Sequence, residues 1–422
     1  MAGNESQVVG AELERVSPKV PQLFERDDTF FSSVSKRPVE VISSRDMRVP
    51  LKLRPNGNFA FYNPDGGDLG RGDANFYDKA IVNSVHMRHA CELTAKAIWS
   101  TDNNRKAVIN AFKENLADAM GEFRRNVDSQ CMQDGTGQLG TISTVVTAAG
   151  VDTYTLTTDG FGAKLVRFGQ RLNIFNSALT TCRTSGGWQN ETKITYLDLV
   201  GKTIKVQPSV TGASATDLLV ASGLQSTPPQ GLLGVQYHAS NASSGSWLGF
   251  DRSLTPEIRA YGVNANSSAL TLPLPRLAIN TIGDRLGISR KKRLTAWAHP
   301  AQEAAYEELG QQVIRYEKGA KEEDLDMYFG TLKMAGIPLK CSYSWDRTRI
   351  DFVDLDVYGR AELHPPRFFQ NPDDGKKVWE IRGPSGGVAA AWVFYVVASF
   401  NLFANNPAAL AYIYSLAVPS GY

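Results

Sequence analysis

Residues 102–133 carry the pattern of one long amphipathic helix. Apolar side chains recur there every three or four positions, which places them on one helix face: Val108, Phe112, Leu116, Met120, Phe123 and Val127. Asp102 or Asn103 can cap the first turn. About 30 residues at ~1.5 Å each make a rod of roughly 45 Å. We therefore predict one continuous helix over about 104–132, with these six side chains facing inward.

The glycines after this helix spell G-x-G-x-x-G, at Gly135, Gly137 and Gly140. A dinucleotide site needs a strand, then the glycines, then a helix, because the phosphate binds at a helix N-terminus. Here the helix comes first and the β-like run TISTVVTAAGVDTYTLTT follows. The 37 glycines among 422 residues also give about 0.3 accidental matches per chain. We predict a helix stop and a turn into a sheet, with no cofactor bound.

Composition argues against several classes of function. Lys and Arg number 45 against 43 Asp and Glu, for a net charge of +2, so general attraction to phosphate is not expected to be the main activity. The four cysteines show no metal-ligand spacing, which predicts no metal site, no disulfide framework and a reducing compartment. The start, MAGNESQVVGAELERVSPKV, has no apolar core, so we do not expect it to be a signal peptide.

Residues 386–404 could be mistaken for a membrane span, because they are uncharged over nearly the ~20 residues that a bilayer requires. Asn401 interrupts the segment, no cation follows it before Tyr422, and β-branched and aromatic residues fill its centre. A strand buried on both faces fits this composition better. We predict a strand and no membrane association.

The N-terminal part is predicted to be an extended arm, residues 1–36, followed by a long two-stranded loop, 37–85. Asn56-Gly57 is a strong hairpin turn signal, and apolar and polar residues alternate after position 80. With polarity mixed on both faces, we expect this loop to pack on a neighbouring copy rather than on its own core.

Residues 145–222 are predicted to form a small all-β unit, because short Thr-rich strands alternate there with Gly, Asn and Ser. We expect it to fold autonomously and to lie on the surface of the assembly. The segment SGLQSTPPQG (222–231) has the composition of a linker. Residues 223–375 mix helix and strand patterns, with Pro300 at a helix start.

No catalytic pattern emerges from the five histidines. His299 and His364 each precede a proline, which favours turn or cap positions, and His86 and His89 lie on opposite faces of a strand. A hydrolase built around His238 or His299 remains the least favoured alternative. The basic run Arg290, Lys291, Lys292 and Arg293 is typical of a surface turn, and could otherwise touch phosphate.

An arm, a long hairpin, a long helix and an inserted β unit are costly to order unless neighbouring copies bury them. Their order resembles the major capsid proteins of tailed double-stranded-DNA bacteriophages, an α+β fold shared with encapsulins and the herpesvirus capsid floor. The resemblance covers most of residues 37–422. The stretches that carry it are VPLKLRPNGNFAFYNPDGGDLGRG, FKENLADAMGEFRRNVDSQCMQDGTGQLGT, LTAWAHPAQEAAYEELG, MAGIPLKCSYSW and VAAAWVFYVVASFNLFANNPAALAYIYSL.

The resemblance implies a tailed-phage capsid fold in five parts. These are an N-terminal arm (1–36), an extended loop (37–85), a peripheral domain with a spine helix (86–144 and 376–422), an inserted all-β domain (145–222) and an axial domain (223–375). Contacts between subunits are expected at Asn56, Gly57, Phe59 and Phe61. Some relatives cross-link a loop lysine to a neighbour's asparagine. Lys52 and Asn405 or Asn406 are the candidates, without a residue-by-residue match.

The implied function is structural, without catalysis. Homo-pentamers and homo-hexamers would form an icosahedral shell around double-stranded DNA, held by confinement, in a virion assembled in the host cytoplasm. Separate scaffold and portal proteins, and a decoration protein, are the other implied partners. An encapsulin-like bacterial compartment shell is the alternative, disfavoured by the long arm and the inserted β unit.

Overall fold

The computed structural model shows a mixed α+β chain. It describes residues 29–38, 40–41, 46–54, 56–59, 61, 64–65, 71–72, 74–94, 105–157, 163–314, 333–370, 378–382 and 388–419. Among these residues, no helix combines the length and apolar character that a membrane-spanning helix needs.

The described residues fall into two compact units. The first takes the described parts of Met1–Phe31, Val85–Asp128 and Glu362–Phe400, and the second takes those of Ser32–Ser84, Ser129–Ala361 and Asn401–Tyr422. The five-part division expected from the sequence stays a prediction.

The end of the predicted arm is helical rather than extended. Helix α1 (Thr29–Ser33) buries Phe30 and Phe31, and the Phe31 backbone N–H donates to the Asp128 carboxylate at 2.6 Å. Two adjacent aromatic side chains supply the apolar area that anchors this segment. Residues 1–28 lie outside the described part of the chain.

The long loop is built on a three-stranded antiparallel sheet of β1 (Glu40–Val41), β2 (Asp46–Arg54) and β3 (Phe76–Asn83). Alternation along β2 and β3 gives this sheet one apolar face: Met47, Val49, Leu51, Ala80 and Val82. These side chains are buried against Trp247, Leu248, Phe250, Ile258, Ala361 and Phe403 of the same chain. The expectation that the loop would not pack on its own core is therefore wrong for its base.

The first unit contains the strand β4 (Val85–Thr94) and most of the helix α2 (Arg105–Cys131). Helix α2 is continuous and begins and ends within one residue of the predicted bounds. Phe123 and Val127 are buried on its inner face, and Met120 is half-buried. The side chains of Val108, Phe112 and Leu116 lie outside the described residues.

Glycines mark the exit from α2 and the entry to the next strand. Gly135 and Gly137 adopt φ values of 95° and 69°, a left-handed region that glycine enters without a steric penalty. The observed order is helix, glycines and strand. This order matches the predicted helix stop and turn and differs from that of a dinucleotide fingerprint.

A closed six-stranded barrel follows, in the order β10-β5-β6-β9-β8-β7. Its strands are β5 (Gln138–Ala148), β6 (Val151–Leu156), β7 (Arg171–Phe175), β8 (Thr192–Asp198), β9 (Thr203–Gln207) and β10 (Leu218–Ala221). Tyr154, Leu172, Ile194 and Ile204 lie in its core. The barrel begins ahead of the predicted start at 145, because the glycine turn leads directly into β5 and a bulge near Ile142 breaks the alternation there.

The remaining helices are α3 (Val235–His238), α4 (Pro273–Leu286), α5 (Ile288–Lys291) and α6 (Pro300–Ile314). The remaining strands are β11 (Ser246–Trp247), β12 (Phe250–Asp251), β13 (Tyr261–Asn264), β14 (Leu294–Ala298), β15 (Lys333–Met334), β16 (Ile337–Cys341), β17 (Ile350–Asp354), β18 (Tyr358–Phe368), β19 (Val378–Arg382), β20 (Val388–Ala404) and β21 (Ala411–Tyr414).

Three further sheets organise these elements, and the smallest pairs β11 with β12. A six-stranded sheet has the order β13-β21-β17-β14-β16-β15, and Ala278, Ile279 and Ile282 of α4 pack into its core. A second sheet has the order β18-β20-β19, and β4 pairs with β20. Strand β20 coincides with most of the segment that could be mistaken for a membrane span. Its residues 398–404 are buried on both faces, which explains the continuous apolar sequence there.

Candidate assembly surfaces

The tip of the long loop is held by its own polar groups. The Asn56 N–H donates to the Asn75 side chain at 2.7 Å, and the Asn58 N–H donates to the Asn56 side chain at 2.9 Å. The Asn58 side chain in turn bonds the Arg71 carbonyl. Bonds of this kind are typical of Asn-rich turns, so the described part of the tip has a defined shape.

Two phenylalanines project from this tip into solvent. Phe59 is 83% exposed and Phe61 is 93% exposed, and their rings meet edge to face with centroids 5.3 Å apart. Burying an aromatic side chain stabilises a complex far more than leaving it in water. The pair is therefore suited to insertion into another protein surface. The structure places all four predicted contact residues together at the tip, with Asn56 and Gly57 exposed beside the rings.

The loop presents a second group of residues, of which only Lys52 was a candidate from the sequence. On the face away from the chain's own core, register pairs Lys52 with Tyr77 and Arg54 with Phe76. The Lys52 ammonium lies 5.9 Å from the centre of the Tyr77 ring. Arg54 bonds Glu257 at 2.8 Å, which ties the loop to the body of its own unit. Period-two alternation through β2 and β3 was the signal that could have separated this face from the buried one.

The basic run is largely occupied by intramolecular partners. Arg290 bonds the buried Asp354 at 3.3 Å, Arg293 bonds Asp356 at 3.1 Å, and Lys291 donates to Asn280 at 3.0 Å. Lys292 is exposed. Two of the four cations are thus already compensated by carboxylates, which weakens the run as a phosphate site.

His238 is fully buried and acts as a core hydrogen-bonding group. The Trp247 indole N–H donates to its Nδ1 at 3.1 Å, so its Nε2 carries the proton and donates to the Leu402 carbonyl at 3.1 Å. Burial lowers the pKa of His238 to about 3. Both ring nitrogens are thus committed inside the core, and the geometry gives no support to a hydrolase at this residue.

The two proline-preceding histidines differ. His299 accepts a hydrogen bond from the Ala301 N–H at 3.0 Å. It therefore caps the start of helix α6, which is one of the two roles predicted for it. The pKa of His299 is lowered to about 3, and burial is the largest cause of this shift. His364 lies within strand β18, so its predicted turn position is wrong: the two prolines after it are accommodated in a long strand of a sheet.

The described residues give little support to a metal site or to a lysine–asparagine cross-link. No three His, Cys, Asp or Glu side chains in that part of the chain surround a point where a metal ion could bind. Lys52 is exposed and lies against Tyr77. The Asn406 side chain accepts from the Ala408 N–H at 3.2 Å and caps a short turn of helix. The proposed cross-link residues stay a prediction.

Comparison with known proteins identifies the fold of this chain. No protein-family model and no curated protein match the chain. Among solved structures, the cyanophage A-1(L) capsid subunit matches over 97% of this chain and 99% of its own, with 12% identity and a TM-score of 0.56. The mature capsid of bacteriophage PhiM1 matches with 9% identity and a TM-score of 0.47. The encapsulin complex from Synechococcus elongatus matches with 11% identity and a TM-score of 0.44.

Of these three, the cyanophage match exceeds a TM-score of 0.5, and the fold assignment rests on it. Because both chains are covered almost completely, the likeness extends over the whole α+β architecture rather than one domain. The tailed-phage capsid fold predicted from the sequence is thereby confirmed.

Proposed function

We propose that this chain is a structural major capsid protein. Many copies would assemble through homo-pentamers and homo-hexamers into an icosahedral shell. The observation that carries the proposal is the likeness in fold, over nearly the full length of both chains, to a subunit of a phage capsid. A fold alone does not determine a function, so the surfaces of the chain must also suit assembly.

The loop tip supplies that second support. Phe59 and Phe61 are almost fully exposed at the end of a defined turn, while the base of the same loop is anchored in its own core. A loop that is anchored at its base and carries two unburied rings has the form of an inter-subunit anchor. Asn56, Gly57, Phe59 and Phe61 would lie in that contact.

The shell would enclose double-stranded DNA, and its wall would confine the genome without reading its sequence. The near-neutral net charge of +2 suits close packing of many identical copies. We assign no catalytic role to the chain. Scaffold, portal and decoration proteins would be separate partners, and assembly would take place in the host cytoplasm before the chain becomes part of the virion.

Size-exclusion chromatography with light scattering tests this proposal, followed by negative-stain microscopy of the high-mass fraction. We expect particles, or capsomers of five or six times the 46.1 kDa of one chain. Scaffold is added if the chain alone stops at capsomers. The double variant Phe59→Ser/Phe61→Ser should shift the protein towards smaller species. The exposed residue Phe168 gives a matched control, since Phe168→Ser removes an exposed ring outside the loop.

A chain that remains monomeric at high concentration, with scaffold supplied, contradicts the proposal. Closed shells that enclose a cargo protein instead of DNA in the native host would favour the encapsulin-like alternative.

A further inference from the structure

The tip of the long loop contains the one Asn-Gly dipeptide of the chain, Asn56-Gly57. Both residues are exposed. The Asn56 side chain lies against the opposite branch of the tip, where a Cβ atom at Gly72 would be 3.5 Å from its Nδ2. The backbone nitrogen that follows an asparagine is held within reach of the side-chain amide carbon, and such proximity favours reaction between them. This dipeptide is therefore a candidate site of self-modification.

The nitrogen of Gly57 is open to reaction. A Cβ atom built on Gly57 would meet nothing within 4 Å, and glycine has no side chain of its own to shield its nitrogen. No described residue accepts a hydrogen bond from the Gly57 N–H. The nitrogen can therefore lose its proton to hydroxide and approach the Asn56 Cγ without first breaking a bond to a protein partner.

The amide carbon of Asn56 is activated by the turn itself. The Asn58 N–H donates to the Asn56 Oδ1 at 2.9 Å, and this is the oxygen on which negative charge develops when a nitrogen adds to Cγ. A donor aimed at such an oxygen stabilises the transition state for addition. The Phe59 N–H also donates to the Gly57 carbonyl at 2.8 Å, which holds the turn around the reacting atoms.

A second turn in the same chain has the activating hydrogen bond but lacks the open nitrogen. The Asn266 N–H donates to the Asn264 Oδ1, also at 2.9 Å. The residue between them is Ala265, which is buried and whose N–H donates to the Tyr414 carbonyl at 2.9 Å. That nitrogen is both crowded by a side chain and engaged in a bond. Asn264 therefore serves as an internal reference for Asn56 in every sample.

We propose that Asn56 deamidates spontaneously, and that this reaction limits how long an unassembled subunit remains competent to assemble. A bond forms between the Gly57 nitrogen and the Asn56 Cγ, the Cγ–Nδ2 bond breaks, and ammonia leaves with the proton that the glycine nitrogen has lost. Water then opens the resulting succinimide ring, adding its hydroxyl to one ring carbonyl and its proton to the Gly57 nitrogen. Position 56 becomes aspartate or isoaspartate, so a neutral amide becomes a carboxylate.

The new charge lies beside the two exposed rings of the tip. The proposed function buries Phe59 and Phe61 against a neighbouring copy, and the effect on assembly rests on that function. Burying a carboxylate that has no partner costs far more than burying a hydrogen-bonded amide, and isoaspartate also adds a methylene group to the backbone of the turn. A modified tip should therefore fit the contact poorly. In the shell, the neighbour would hold the turn and exclude water, which stops the reaction.

Peptide mass spectrometry of unassembled full-length protein, sampled over several days, tests the chemistry. Asn56 should lose its amide while Asn264 keeps it, and the loss should be faster at mildly alkaline than at mildly acidic pH, because the attacking nitrogen must be deprotonated. Equal rates at Asn56 and Asn264 overturn the proposal.

Gly57→Ala is the matched variant. Its added methyl group meets nothing in the tip, but it crowds the attacking nitrogen. It should slow the loss of the Asn56 amide at least about tenfold, which corresponds to about 1.4 kcal/mol in the activation barrier. Loss at the same rate in wild type and variant contradicts attack by the Gly57 nitrogen.

Assembly of the aged samples, followed by light scattering, tests the consequence. Aged wild-type protein should assemble less than fresh protein, in proportion to the modified fraction, whereas aged Gly57→Ala should match its own fresh sample. Asn56→Asp should assemble less than Asn56→Ser, which stays neutral and equally cannot form the ring. Modified protein that assembles as well as fresh protein overturns the limit on assembly.

The same samples separate this inference from the shell function. Fresh wild-type protein that stays monomeric with scaffold supplied refutes the shell function and with it the consequence for assembly. Loss of the Asn56 amide would still stand on the mass spectra alone. Fresh protein that assembles but keeps its amide on ageing refutes the inference and leaves the shell function standing.

Discussion

Gly234 shows at the residue scale how a missing side chain permits a close contact between two backbone segments. A Cβ atom at this position would lie 2.3 Å from the Gln133 carbonyl oxygen and 2.6 Å from that of Cys131. Both oxygens belong to the backbone where α2 ends, so neither can rotate away. The Gly231 N–H also donates to the Gly135 carbonyl at 2.6 Å. The segment that follows the barrel is thus fastened to the segment that enters it.

Gly234→Ala should therefore destabilise the protein by about 1–3 kcal/mol, because the backbone must shift to admit one methyl group. Gly283→Ala is a matched control in helix α4, where a Cβ atom would meet nothing within 4 Å. It should stabilise the protein by up to about 1 kcal/mol, since alanine favours helix over glycine. Urea unfolding of the two variants measures both. Equal effects of the two substitutions would show that the close contact does not constrain the fold.

The buried His238 should make stability depend on pH. Its pKa is lowered to about 3 in the folded chain and is about 6.5 when unfolded. Between these values the unfolded chain binds the extra proton, so stability is fully present above pH 6.5 and falls as pH is lowered towards 3. The expected loss from this group is about 1.4 kcal/mol per pH unit in that window.

Urea unfolding from pH 7 to pH 4 measures this slope. His238→Phe should be less stable at pH 7, because it loses the hydrogen bonds to Trp247 and Leu402, but its stability should change less with pH. An unchanged slope would exclude His238 as the titrating group.

At the scale of elements, α2 and the long loop show two ways in which a pattern becomes structure. Helix α2 keeps its apolar period through its described inner face, and Phe123 and Val127 are buried there. Apolar and polar residues alternate along the loop. This alternation gives it a buried face at Met47, Val49 and Leu51 and an exposed face, and the tip carries two exposed aromatic rings.

Phe123→Ala should cost about 3–5 kcal/mol, because it leaves a cavity beneath the helix. Arg276→Ala is the control, since Arg276 is exposed on helix α4 and surface substitutions usually stay within about 0.5 kcal/mol. Chemical unfolding followed by circular dichroism reports both values. Similar losses in the two variants would contradict the inward orientation of Phe123.

Limited proteolysis tests the loop. In unassembled protein, cleavage should occur within the tip and spare the base, because Met47, Val49 and Val82 are packed in a core. In assembled particles the tip should also be protected, since the contact with a neighbour would bury it. Equal resistance of the tip in both states would argue against an inter-subunit role.

At the scale of the whole molecule, the barrel is the part best equipped to fold alone. It has its own core and its sheet is closed. Buried Glu191 joins the outgoing segment to it, accepting from the Ser222 hydroxyl at 2.5 Å and the Gly223 N–H at 2.6 Å. This segment had been predicted to be only a linker, yet its first residues complete the polar network of the barrel.

A fragment of residues 137–225 should therefore give a dispersed amide spectrum by NMR. A fragment that ends at Ala221 should unfold at lower temperature, because a buried carboxylate loses two donors. A collapsed, poorly dispersed spectrum for the longer fragment would show that the barrel needs the rest of the chain.

Periodicity and turn chemistry were enough to predict the helix α2, the glycine stop after it, the β character of the inserted unit and the strand β20. These features depend on neighbours in the sequence, so local spacing records them. The order of such elements along the chain also carried the resemblance to the capsid fold.

Only the tertiary structure decided which surfaces are free. It buried the base of the loop against Trp247, about 200 residues away along the chain, and compensated Arg290 with Asp354. It also aligned Lys205, Tyr196 and Val146 across three strand pairings. Exposure and charge compensation depend on contacts between residues that are distant in sequence. The sequence alone therefore tells which side chains are present, but not which of them contact one another in the folded chain.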